Sequence, residues 1–121
     1  MKKYLVLALA LIMALAVFTG CGTKEKAAPA DAALPGEGEV YCFIASLNQL
    51  EFFDAAKAGV YDATNELGAT WYFTGPETVD PALISEAIDQ AVANKVTGII
   101  LHGQSDDTAE AVKNAMDSGV P

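Results

Sequence analysis

The sequence predicts an α/β fold built on a doubly wound parallel sheet. Two observations lead to this prediction. Short apolar runs of strand length alternate with stretches of helical periodicity, and each strand–helix pair repeats after about 30 residues. Such alternation is typical of right-handed βαβ units, in which helices cover both faces of a parallel sheet.

The first unit begins with residues 40–45, VYCFIA. This continuous apolar run is typical of a strand that is buried on both faces. Apolar residues then recur at helical spacing as far as Leu67, and Gly68 supplies a C-terminal stop. The others in this stripe are Phe52, Phe53, Ala56, Val60 and Ala63. Residues 70–74, TWYFT, are β-branched and aromatic, and they predict the second strand.

An Asp-Pro pair at residues 80–81 is a favourable N-cap and first helical position, and it predicts the start of the second helix. The apolar period of this helix continues through residues 83–92. A third buried strand, GIILH, is predicted over residues 98–102. Residues 105–119 follow as a third helix, and residues 120–121 are interpreted as the start of a fourth strand.

The N-terminus predicts export from the cytoplasm. Two lysines precede an apolar run of fifteen residues, 4–18. A helix needs roughly 20 apolar residues to span a bilayer, so this run is typical of a secretory signal peptide. Residues 18–21, Phe-Thr-Gly-Cys, resemble the lipobox of bacterial lipoproteins, which implies cleavage of residues 1–20 and a diacylglycerol anchor on Cys21. The alternative is an ordinary cleaved signal followed by a chance cysteine.

Residues 21–38 are predicted to be a flexible tether, because alanine, proline, glycine and charged residues dominate them without an apolar period. Without residues 1–20, the chain keeps five of its seven lysines against 16 acidic residues, a formal charge of −11, and it has no arginine. This composition argues against nucleic acid or anionic lipid headgroups as partners, because phosphate recognition depends on basic side chains. The remaining cysteine, Cys42, is predicted to be a buried free thiol.

From Val40 onward the chain resembles the first lobe of the type I periplasmic binding proteins, the sugar-binding lipoproteins of ABC importers. The stretches that carry the resemblance are CFIASLNQLEFFDAAKAGVYDATNELG, YFTGP, VTGIILHG and AMDSGVP, in this order. The FTGP stretch looks most like the branch that includes the rhamnose-binding and autoinducer-2-binding proteins. Members have two such lobes joined by hinge strands, so the resemblance implies that residues 39–121 are an incomplete first lobe.

Ligands of open α/β sheets bind beyond the carboxyl ends of the strands, where the strand order reverses. If the strands have the flavodoxin-like order 2-1-3-4, the reversal lies between the first and third strands, and this rule selects the loops at residues 46–51 and 103–106. In sugar-binding members two adjacent aromatic residues stack on the sugar, and Phe52 and Phe53 match them. Neighbours on a helix point about 100° apart, so one ring is expected to stack and the other to pack inward. The autoinducer-2 branch carries a lysine where this chain has Ser46, which argues against that ligand.

The polar candidates for ligand binding are Ser46, Asn48, Gln104 and Ser105. Ser46 either donates to a ligand hydroxyl or satisfies the loop backbone. Asn48 either contacts the ligand or caps the first helix, together with Glu51, in a capping box. Gln104 and Ser105 are within reach of a sugar at the predicted switch point of the sheet.

The resemblance implies an extracytoplasmic lipoprotein that captures a sugar between two lobes and delivers it to the permease of an ABC importer. An alternative of the same fold is a sensor or autoinducer-2-type binding protein. An alternative of another class is a secreted α/β enzyme built on His102, which is otherwise interpreted as a structural hydrogen-bonding residue. A repressor of the same fold is excluded by the export signal. The sequence contains no catalytic motif, so no enzyme activity, cofactor or metal is expected.

Overall fold

A computed structural model describes residues 33–103 and 105–121. Its elements alternate in the predicted order: β1 (Val40–Ile44), α1 (Asp54–Leu67), β2 (Thr70–Thr74), α2 (Pro81–Ala93), β3 (Gly98–Leu101) and α3 (Ala109–Asp117). Two 3-10 helices, Glu51–Phe53 and Asp106–Thr108, lead into α1 and α3. No helix in this described part of the chain is long and apolar enough to cross a membrane. The predicted signal peptide, Cys21 and Gln104 lie outside the described residues.

The three strands form a parallel sheet of order β2-β1-β3. The first three positions of the predicted strand order are therefore confirmed. The predicted fourth strand at residues 120–121 is not formed. Instead, the Pro121 carbonyl accepts one hydrogen bond, 2.8 Å long, from the N–H of Ile99 in β3. This single hydrogen bond lies on the side of β3 that faces away from β1, and one bond does not constitute a paired strand.

Side chains of β1 alternate between two cores, because successive residues of a strand point to opposite faces of the sheet. Cys42 and Ile44 belong to the core under α2 and α3. Phe43 and Ala45 belong to the core on the face that α1 covers. Helices thus cover both faces, as the doubly wound prediction requires. The predicted buried free thiol is confirmed at Cys42, and burial raises its pKa.

The predicted apolar stripe of α1 is only partly buried. Val60 packs against the core on its face, whereas Ala63 and Leu67 are exposed. They line an open apolar groove together with Tyr41 of β1 and Ile100 of β3. The reason lies in the placement of α1, which packs over β1 and β2 and leaves this face of β3 uncovered.

The last residues of the predicted tether form a turn that leads into the sheet. Residues 34–38 form turns, and the Gly36 N–H donates to the carbonyl of Leu67 at 2.8 Å. Gly68 ends α1 with a φ of 74°, and a Cβ there would lie 2.7 Å from the Cβ of Leu34. The predicted tether boundary at residue 38 is therefore too late. Leu34 is the one large apolar residue of this segment, so the sequence shows no apolar period that would predict the turn.

Candidate functional site

Three loops meet at the carboxyl edge of the sheet. They follow β1, β2 and β3, and backbone hydrogen bonds align their first residues. The N–H of Ala45 donates to the Thr74 carbonyl at 3.0 Å, and the N–H of His102 donates to the Ile44 carbonyl at 2.9 Å. This is the edge at which ligands of open α/β sheets bind, so we describe the loops as the candidate site.

The loop after β2 crosses the end of β1 at close range. A Cβ on Gly75 would lie 2.5 Å from the carbonyl oxygen of Ala45, so only glycine allows this approach. The next residue, Pro76, accepts a 2.9 Å hydrogen bond from the N–H of Asn48. Residues 73–76, FTGP, therefore hold the loop that follows β1 in place.

Asn48 does not cap the first helix, and the predicted capping box is wrong. The 3-10 helix Glu51–Phe53 begins after Leu50, which occupies the N-cap position without a side-chain hydrogen bond. Asn48 lies two residues too early, with its N–H already bonded to the Pro76 carbonyl. Its Oδ1 is shielded from solvent and has no hydrogen-bond partner among the described residues. An unpaired buried acceptor costs about 1–3 kcal/mol, which makes this atom a candidate to accept from a ligand.

The two adjacent phenylalanines have opposite environments, as predicted. Phe53 is 2% exposed and packs edge to face against Phe43, with ring centroids 6.0 Å apart. Phe52 is 74% exposed, and its ring meets the Phe53 ring edge to face, with centroids 5.2 Å apart. Phe52 is therefore the ring of this pair that is open to a ligand.

A hydrogen-bonded side-chain pair, with one buried and one partly exposed member, joins the ends of β1 and β3. Ser46 is 0% exposed, and its Oγ lies 3.1 Å from Nδ1 of His102. The imidazole also packs edge to face on Phe53, with ring centroids 5.0 Å apart, and lies 6.3 Å from the ring of Phe52. His102 thus has the structural hydrogen bond predicted for it. Ser46 meets a side chain, not the loop backbone that was one of its predicted partners.

The sequence held a signal for this pair. Ile44 and Leu101 are register partners, so the residues that follow each of them leave adjacent strands at the same edge. Ser46 and His102 are the first polar side chains after these two strands. The strand order and the predicted end of each strand are therefore enough to predict that Ser46 and His102 lie close together.

Ser105 serves a local role. It is the N-cap of the 3-10 helix Asp106–Thr108, where its Oγ accepts from the Asp107 N–H at 3.1 Å and donates to Asp107 Oδ2 at 2.6 Å. The predicted helix start is confirmed here, with acidic residues in the first turn that suit the helix dipole. A ligand contact from Ser105 stays a prediction.

The loops at this edge carry one exposed aromatic ring together with polar side chains. Asn48 and His102 provide an amide and an imidazole, and the side chain of Phe52 provides the face. Groups of this kind suit packing and hydrogen bonding with a small polar molecule. Within residues 33–103 and 105–121, no cluster of three or more His, Cys, Asp or Glu side chains is arranged to hold a metal ion.

Comparisons with known proteins agree on one family. Residues 40–121 match the family described as the periplasmic binding protein domain. No curated protein sequence matches the chain.

Several solved structures are similar. They include LsrB from Clostridium saccharobutylicum in complex with AI-2, with 26% identity over 67% of this chain, a TM-score of 0.62 and 25% of that structure covered. The XylFII molecule has 28% identity over 69% of this chain, a TM-score of 0.65 and 31% coverage. A solute-binding protein from Agrobacterium vitis bound with α-D-tagatopyranose has 23% identity over 69% of this chain, a TM-score of 0.64 and 28% coverage. The chain therefore spans about a quarter to a third of these structures.

Proposed function

This chain belongs to the periplasmic binding protein domain family, a family of extracytoplasmic binding proteins, and from that premise we propose that it captures a sugar for an ABC importer. One observation carries the proposal. A phenylalanine ring that is 74% exposed stands at the carboxyl edge of the sheet, next to two loops with neutral polar side chains. The ring of Phe52 is available for a ligand, because it belongs to neither hydrophobic core of this lobe.

The chemistry of a sugar fits these groups. One face of a pyranose or furanose ring carries C–H bonds and packs on an aromatic ring, while the hydroxyls bond to amides, hydroxyls and imidazoles. We assign the stacking face to Phe52 and hydrogen bonds to Asn48, Gln104 and Ser105. Phe53 supports Phe52 from below. The second lobe closes over the ligand, and the closed state is favoured because the ligand contacts both lobes only there.

The similar structures support a small polar ligand. One of them holds AI-2 and another holds α-D-tagatopyranose. We favour a sugar over AI-2, because Ser46 stands where autoinducer-2-binding relatives carry a lysine. A lipid anchor at Cys21 keeps the protein at the outer surface of the cell membrane, next to its permease partner.

Calorimetry tests the proposed ligand class. The protein, as its gene encodes it, is titrated with D-allose, D-tagatose, D-arabinose and AI-2. We expect saturable binding of at least one sugar and none of AI-2. Saturable binding of AI-2 alone would support the signalling alternative, and chemical turnover of a sugar would support the enzyme alternative.

Asn48→Ala separates a ligand contact from a structural role. Asn48 caps no helix and its unpaired Oδ1 is costly to bury, so we expect the variant to keep or raise the free energy of unfolding. Sugar affinity should fall by about 1 kcal/mol, the value of a neutral hydrogen bond. Urea unfolding and calorimetry on the same variant provide the two numbers. A loss of stability of about 1 kcal/mol or more without a change in affinity would assign Asn48 to the scaffold.

Cys21→Ala tests the lipid anchor. If the thiol of Cys21 carries the lipid, the variant precursor should stay unacylated, and labelled palmitate should be incorporated only into the wild-type protein. Cys42→Ala is the matched control, because that thiol is buried in the sheet and should not affect labelling. Equal label in Cys21→Ala and wild type would contradict the lipoprotein assignment.

A further inference from the structure

We propose that Ser46 is a positioning residue that fixes the tautomer of His102, so that His102 presents its Nε2–H as a hydrogen-bond donor to the ligand. This inference rests on the proposed function and adds two residues to its site. It also specifies the ligand further, since an N–H donor next to an aromatic face suits a ring that carries oxygen acceptors, such as the hydroxyls or ring oxygen of a sugar.

The tautomer follows from the burial of Ser46. A serine hydroxyl carries one hydrogen, and a buried donor that lacks an acceptor is costly. Ser46 is 0% exposed, and the only side-chain partner of its Oγ among the described residues is Nδ1 of His102, at 3.1 Å. The hydroxyl must therefore donate to Nδ1, which then carries no hydrogen of its own. In a neutral imidazole the proton then resides on Nε2.

The packing of the ring determines where this donor points. Nδ1 faces the fully buried hydroxyl, while Phe53 packs against the ring at 5.0 Å. These contacts occupy the Nδ1 side of the imidazole, yet His102 as a whole remains partly exposed. Nε2 has no hydrogen bond within the described part of the chain. The imidazole that carries it borders Phe52, at a centroid distance of 6.3 Å, so the ring lies beside the proposed stacking face.

The tautomer is measurable without any ligand. The protein, as its gene encodes it, is labelled with ¹⁵N-histidine and studied by long-range ¹H–¹⁵N correlation at a pH where the imidazole is neutral. The His102 signals are assigned by their loss in His102→Asn. We expect an unprotonated Nδ1 and a protonated Nε2 in the wild type. In Ser46→Ala we expect a mixture of the two tautomers. A wild-type protein with the proton on Nδ1 would overturn the proposal.

Thr64→Val is the matched control. Thr64 is also buried, at 5% exposure, and its hydroxyl donates within α1 to the Val60 carbonyl at 2.8 Å. The control loses a buried hydroxyl far from His102, so its tautomer signals should match the wild type. If Thr64→Val perturbs the tautomer as much as Ser46→Ala does, the effect is general destabilisation and the positioning role is refuted.

Calorimetry with D-allose, D-tagatose and D-arabinose tests the donor role. For a sugar that binds the wild type, Ser46→Ala should weaken binding about fivefold, the equivalent of one neutral hydrogen bond. His102→Phe keeps a ring but has no donor, and should weaken binding at least as much. Unchanged affinity in both variants would refute the donor role. Failure of all three sugars to bind wild type would refute the proposed function, and with it the donor role, while leaving the tautomer result standing.

Discussion

Replacement of Phe53 by alanine is expected to lower the free energy of unfolding by about 3–5 kcal/mol, while the same change at the adjacent Phe52 should leave it nearly unchanged. Phe53 is 2% exposed and packs with Phe43 and Phe73 in one of the two cores. Its removal would leave a cavity that the short strands around it cannot fill. Phe52 is 74% exposed and loses little packing when truncated.

The two substitutions should affect sugar affinity in the opposite order, with the larger loss at Phe52. Phe52→Ala removes the proposed stacking face, so the loss in free energy of sugar binding should exceed the loss in free energy of unfolding. Urea unfolding monitored by circular dichroism gives the stabilities, and calorimetry on the folded variants gives the affinities. Should both variants unfold while their residual folded molecules bind sugar normally, this loop is scaffold and the assignment of the stacking face is wrong.

Gly75→Ala is expected to destabilise the protein by about 1–3 kcal/mol or more, because overpacking forces the backbone to move. The new Cβ would lie 2.5 Å from the carbonyl oxygen of Ala45, and neither backbone can yield without breaking the contact between the loops. The hydrogen bond from Asn48 to Pro76 depends on the same contact. Sugar affinity should therefore fall together with stability.

Gly59→Ala is the matched control for this substitution. Gly59 lies within α1, and a Cβ there would meet nothing within 4 Å. Alanine is favoured over glycine within a helix, so this variant should gain about 0.5–1 kcal/mol of stability. Thermal unfolding of the two variants side by side measures the contrast. Equal stability changes at both positions would show that the close approach of Gly75 is not a constraint.

Much of the fold could be predicted from local pattern. A strand buried on both faces reads as a continuous apolar run, which is why β1 was predicted within one residue of its observed end. The second helix was located by Asp80, whose side chain accepts from the Ala82 N–H at 2.9 Å, as an N-cap should. The alternation of elements predicted parallel strands with right-handed crossovers, whereas the strand order was set beside the family resemblance and not by local pattern.

The errors arose where distant contacts decide the conformation. The Asn48–Glu51 pattern has capping-box spacing, yet the N–H of Asn48 bonds to Pro76, a residue that periodicity cannot bring near it. The partner of Ser46 is 56 positions away along the chain and is near it only because β1 and β3 are neighbours. Side-chain environment at the site therefore requires the assembled sheet, while the type of each element does not.

The turn at residues 34–38 also determines how the lobe can be handled in experiments. Its hydrogen bond from Gly36 to Leu67 lies at the amino end of β1, whereas the loops of the candidate site leave the carboxyl end. Five residues of strand, at about 3.3 Å each, separate the two ends by about 17 Å. A biosensor chip or a fluorophore coupled at residue 33 is therefore joined at the edge opposite the candidate site.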